Sequence, residues 1–204
     1  MKRSAFTMVE LIFVIVIIGI LASIAIPKLS GITDGAKKTA EIATISAVST
    51  VLQSANGEWS INEGIFTWGN KRASSELNSA GYPTFLSNDN NKPFKYVLKN
   101  DDGKFKNVSG TANGVITSGS DYNISIFTGP ASNAQNGVRF DTSAPNSDIA
   151  GKPDKNDFWI YASYTDANKS CMYNDKNITS GDFVLIDVNG TAATNYSGVS
   201  LICH

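Results

Sequence analysis

One carboxylate, Glu10, precedes an apolar run in which no residue from Leu11 to Pro27 is charged. An acid placed inside hydrocarbon costs a few kcal/mol and usually marks a function. It can sit at the headgroup boundary, or it can wait for a cation in a low-dielectric core. Three readings of the segment follow: a cleaved secretory signal, a plain transmembrane anchor, or a helix that later leaves the lipid.

The other reactive side chains are few. The sole histidine is the terminal His204, and neither Cys171 nor Cys203 has a histidine close by in sequence. No phosphate-binding loop, nucleotide-binding glycine fingerprint or His/Cys metal cluster is present. The chain therefore reads as a protein without catalytic residues and without an obligate cofactor. Asp-rich turns at Asp154-Lys155-Asn156-Asp157 and Asp187-Val188-Asn189 offer oxygen ligands of the kind that hold Ca²⁺, but their spacing matches no full calcium loop. The two cysteines fit one disulfide in an oxidising compartment, or two reduced buried thiols in the cytosol. A bridge between them would close about 32 residues, worth roughly 3.5–4 kcal/mol on the chain-entropy account.

Asn-x-Ser/Thr triplets begin at Asn107, Asn123, Asn177, Asn189 and Asn195. An acid stands two residues ahead of Asn123, Asn177 and Asn189: Asp121, Asp175 and Asp187. That extended form resembles the acceptor of bacterial periplasmic N-glycosylation. Asp and Asn also cluster in turns for local reasons.

These groups need elements to position them. As a helix, Leu11 to Pro27 is about 26 Å long, and Phe6 to Val9 extend it towards about 30 Å, enough to cross a bilayer. That is too long for the apolar stretch of a secretory signal, and no Ala-x-Ala exit follows it. Lys2 and Arg3 favour the cytoplasmic side, so the rest of the chain faces outward.

The residues Ala5-Phe6-Thr7-Met8-Val9-Glu10-Leu11, with the apolar run to Ala25-Ile26-Pro27, resemble the N-terminus of type IV pilins and type II secretion pseudopilins. The resemblance covers about 25 residues. It implies that prepilin peptidase cuts the leader between Ala5 and Phe6, and that the new amino group is methylated. Ala5 stands where the family usually has Gly. The resemblance also assigns Pro27 to a helix-kinking proline and Gly19 to a helix-weakening glycine. Glu10 would then pair, in a filament core, with the cationic amine of a neighbour's Phe6, because a paired acid is tolerable there and an unpaired one is not.

After Pro27 the helical pattern resumes with an alanine-rich stripe, Ala36, Ala40, Ala43 and Ala47. Asp34, Lys37, Lys38 and Glu41 fall largely on the other face, and Asn56-Gly57 reads as the helix stop. A kink or local melt is expected at Pro27. Beyond it, a short helix at 74–78 is expected, then strands at Phe94–Leu98, Tyr122–Phe127, Val138–Phe140, Phe158–Tyr164 and Phe183–Val188, with a hairpin turn at Asn189-Gly190. The continuous run Phe183-Val184-Leu185-Ile186 suits a central strand covered by the helix.

The expected fold is α+β, a long N-terminal helix whose first half is transmembrane, packed on an antiparallel β-sheet head. The parts are a leader (1–5), a transmembrane and filament-core helix (6–28), its amphipathic continuation (29–56) and a β-rich head (57–204). The resemblance implies a structural filament subunit in the bacterial inner membrane, single-pass with its head in the periplasm or on a surface filament. Its partners would be prepilin peptidase, copies of itself and other pilin-like subunits. A disulfide between Cys171 and Cys203 would bracket a C-terminal loop, as in many pilins. The alternative is a minor tip pilin binding a surface, DNA or cargo. A formal net charge of −1 offers no footprint for nucleic acid. The densest basic stretch, Lys92, Lys95, Lys99, Lys104 and Lys106, would suit DNA only if clustered on one face.

Overall fold

A computed structural model describes residues 7–62, 67–68, 71–72, 77–108, 115–117, 123–132, 139–140, 147–149, 153, 157–173, 176–188, 197–199 and 202–203. The chain forms two compact units, 1–37 and 38–204.

One helix, α1 (Met8–Ile61), contributes to both units. In the first unit its large apolar side chains, from Met8 through Ile32, are exposed. Pro27 lies inside the helix and has no N–H to offer the carbonyl one turn back, yet the helix is not interrupted there, so the expected melt does not occur. The helix also runs past the expected stop at Asn56-Gly57. Its last turns are held by the second unit, where Asn56 donates a side-chain hydrogen bond to the Ala80 carbonyl.

The second unit carries thirteen short strands among the described residues. They are β1 (Thr67–Trp68), β2 (Lys71–Arg72), β3 (Lys106–Asn107), β4 (Val115–Thr117), β5 (Asn123–Thr128), β6 (Arg139–Phe140), β7 (Ser147–Ile149), β8 (Phe158–Ala162), β9 (Cys171–Tyr173), β10 (Lys176–Ile178), β11 (Phe183–Val188), β12 (Ser197–Val199) and β13 (Ile202–Cys203). The main sheet has the order β3-β5-β8-β11-β7, with β4 also on β5, and each pairing is antiparallel. A three-stranded sheet, β10-β9-β13, stands beside it in sequence. The α+β arrangement expected from the sequence is the one found.

The core explains this arrangement. Ile45, Val48, Leu52 and Ala55 recur at helical spacing and are buried with Phe127, Trp159, Tyr161 and Leu185 of the sheet. β11 lies between β8 and β7, as its unbroken apolar run suggests. Phe94 is fully buried, with ring centroids 5.1 Å from both Phe105 and Phe127.

Two local expectations fail. Phe94–Leu98 is not a strand but a pair of tight turns: Lys95 N–H donates to the Lys92 carbonyl, and Val97 and Leu98 both donate to that of Phe94. The Asp101 carboxylate accepts from Phe94 N–H at 2.8 Å and Gly103 N–H at 3.0 Å, which fixes the turn from outside. Leu77-Asn78 is likewise not helical. Leu77 bridges Pro83, and the Asn78 side chain accepts from the N–H groups of Ala80 and Tyr82. Residues 73–76 and the hairpin turn at 189–190 lie outside the described residues.

This turn leads to an alkaline limit for the head. Tyr161 is fully buried, stacks on Phe183 with centroids 4.9 Å apart, and donates to the Pro83 carbonyl at 2.8 Å. Burial, with a smaller contribution from Tyr82, holds its phenol well above the usual value of 10.0. The folded state therefore keeps a proton that the unfolded chain loses, so this stabilisation is complete below about pH 10 and declines above it. Denaturation midpoints measured from pH 8 to 11.5 should fall steeply beyond pH 10 and fall less steeply in Tyr161→Phe. Equal slopes in both proteins would refute this assignment.

Candidate assembly site

The helix start carries a reciprocal cap. Thr7 donates to Glu10 Oε2 twice, through its backbone N–H at 2.8 Å and its hydroxyl at 2.9 Å. Glu10 N–H returns a bond to Thr7 Oγ1 at 3.3 Å. This is a capping box, Thr-x-x-Glu, which satisfies orphan donors of the first turn. Glu10 therefore has a local partner, Thr7, three residues earlier, besides any cation it meets in assembly. Glu10 is exposed, as are the apolar side chains that follow it, so one oxygen serves the helix while the carboxylate remains accessible. Ala5 and Phe6 lie outside the described residues. A Cβ built on Gly19 meets nothing within 4 Å. By length and composition α1 can cross a membrane.

Within the second unit, a different acid organises the head. Glu41 was expected on the polar helix face, yet it is fully buried. Its Oε2 accepts from the backbone N–H groups of Ala131 (2.7 Å) and Ser132 (3.0 Å). Its Oε1 accepts from Trp159 Nε1 at 2.7 Å and from the Ser132 hydroxyl. Four donors from a loop and from strand β8 thus converge on one helix side chain, which is how a buried carboxylate is made tolerable. Gly129 is required beside it: an added Cβ would lie 2.5 Å from the Glu41 carboxyl carbon. At the helix end, Gly81 has φ +78°, and a Cβ there would strike the Trp59 ring.

Cys171 is buried and disulfide-bonded, and the register of β13 on β9 sets Cys203 opposite it. The candidate acceptor asparagines fare differently. Asn123 lies in β5, a strand paired on both edges, with Ser125 buried. Asn177 is exposed on β10, and Asn189 lies outside the described residues.

Lys92, Lys95, Lys99, Lys104 and Lys106 are all exposed. Asp102 pairs with Lys104 at 2.7 Å, and that hydrogen-bonded ammonium holds its carboxyl below the usual range. Asp101 and Asp102 lie between Lys99 and Lys104, so the stretch is mixed in sign. Among the described residues, no three His, Cys, Asp or Glu side chains are grouped to hold a metal ion. Of the calcium-candidate turn at 154–157, only Asp157 is described, and it is buried.

Residues 1–26 match the model of the prokaryotic N-terminal methylation motif. A relative, the type IV narrow pilus major component PilA5 of Thermus thermophilus, is 38% identical over 90 residues, which span 44% of this chain and 75% of that protein. The chain belongs to the type IV pilin family. No solved structure matches this pilin. The match to the methylation motif takes in Glu10 and Gly19 and stops just short of Pro27.

Proposed function

We propose that this pilin is a structural subunit of a type IV pilus-like filament. Prepilin peptidase cuts it between Ala5 and Phe6, the Phe6 amine is methylated, and the helix passes from the inner membrane into the filament core. Lys2 and Arg3 stay cytoplasmic and the head is periplasmic until assembly. The observation that carries this reading is a methylation motif on a helix whose apolar side chains, Met8 to Ile32, have no cover within their own unit. Lipid can cover that surface first, and the same surface of neighbouring subunits can cover it later. The relative named for a major pilus component, together with the disulfide at Cys171, favours a pilus over a secretion pseudopilus. Cys203, opposite Cys171 in the ladder, is the partner we assign to that bond.

Intact-mass and N-terminal sequencing of the protein from its native membrane fraction test the processing. The expected result is a chain that starts at a methylated Phe6. A chain that retains Met1 would leave a plain membrane anchor and overturn the filament reading.

A further inference from the structure

A sixth Asn-x-Ser/Thr triplet, also preceded by an acid, is Asp166-Ala167-Asn168-Lys169-Ser170 in the connection from β8 to β9. It is described in full, and its first residues are exposed. Thr165, Asp166, Ala167 and Asn168 are consecutively exposed. Asn123 is held between paired neighbours in the main sheet, and Val108, inside the triplet that begins at Asn107, is buried. Asn177 is exposed, but its triplet runs through the β10 ladder, and Ile178 next to it is fully buried. A transferring enzyme must reach an amide nitrogen, a hydroxyl two residues on and a carboxylate two residues back along one short stretch. A turn presents such a stretch, whereas a paired strand does not.

The turn is also pre-shaped. Asp166 Oδ1 accepts from Asn168 N–H at 2.9 Å, and the Asp166 carbonyl accepts from Lys169 N–H at 3.1 Å. Ser79 anchors the base of the turn: its hydroxyl donates to the Thr165 carbonyl at 2.8 Å and accepts from Ala167 N–H at 2.8 Å. These bonds hold the turn by its N-terminal side and leave Asn168 on the outside. The neighbouring Cys171 is disulfide-bonded, which fits the oxidising compartment that the proposed function gives the head.

We propose that Asn168 is an N-glycosylation acceptor. The donor is a lipid-diphosphate oligosaccharide held by an oligosaccharyltransferase. The Asn168 amide nitrogen forms a bond to the sugar C1 and loses one proton, while the C1–oxygen bond to the diphosphate breaks and the lipid diphosphate leaves. The product is a bulky polar group on an exposed turn of the head, where it disturbs no core side chain.

The test is intact mass with glycopeptide mapping of the protein purified from its native membranes, together with three variants. The wild type should exceed the mass of its polypeptide by an oligosaccharide that maps to the peptide containing Asn168. Asn168→Gln should lose that increment, Ser170→Thr should keep it, and Asn123→Gln should keep it. Folding of Asn168→Gln is checked by an unchanged thermal midpoint. A wild-type mass equal to the bare polypeptide would overturn the proposal. So would an increment that survives in Asn168→Gln or maps only to Asn177.

Discussion

Glu41→Ala should lower the stability of the head by about 3–5 kcal/mol, the scale set by removing one partner from a buried charged hydrogen-bond network. Four donors would lose their acceptor at once: Ala131 N–H, Ser132 N–H, the Ser132 hydroxyl and Trp159 Nε1–H. Glu41→Gln should cost about half as much. Its amide oxygen can still serve Trp159 and the Ser132 hydroxyl, but its NH₂ group then faces two backbone N–H donors. Guanidinium unfolding of the full chain in detergent reads both values. A loss below about 1 kcal/mol for Glu41→Ala would mean that the network is replaced by water and carries no net stability. Gly129→Ala should reproduce part of the defect, because its new methyl group would occupy the place of the carboxylate.

Glu10→Ala should leave membrane insertion intact and nearly abolish filament formation. Two causes predict that result, and the capping box separates them. As a cap, Glu10 is one half of a box whose N-cap residue, Thr7, is worth about 0.5–2 kcal/mol to the first helical turn. Gln at the same position keeps that cap. As the partner of a neighbour's Phe6 amine, Glu10 supplies a charge whose loss from a low-dielectric core costs about 3–5 kcal/mol, more than a hundredfold in an assembly equilibrium. Glu10→Gln should therefore fail to assemble as completely as Glu10→Ala. Filament yields from sheared cells, set against inserted protein in the membrane fraction, make the comparison. Wild-type yield from Glu10→Gln would reduce the role of Glu10 to capping.

Much of the fold was legible because it follows from local pattern. The apolar run after Glu10 reads as a membrane-length helix, and the aromatic and β-branched runs Phe158–Tyr164 and Phe183–Val188 read as strands of a buried sheet, the first of which ends at Ala162. The failures share a cause. Phe94-Lys95-Tyr96-Val97-Leu98 has strand-forming residues, but the Asp101 side chain, outside that window, turns it into tight turns. Glu41 looks like one more charge on a solvated stripe, because its four donors lie 90 to 118 residues further along the chain. At the helix start the signal is local: Thr7 and Glu10 have the spacing of a capping box, followed at once by the apolar run. Asn168 was equally visible as a pattern. What the sequence does not give is the contrast in exposure between it and Asn123.

The burial of Glu41 also bears on how interchangeable pilin heads are. The side chain that closes the 129–132 loop belongs to the helix, twenty residues before Ile61 where that helix ends. A chimaera that joined this head to a relative's helix at the end of the helix would leave behind the acceptor for Trp159. The transferable module begins at or before Glu41, and exchanging heads within the family means exchanging the second half of the helix with them.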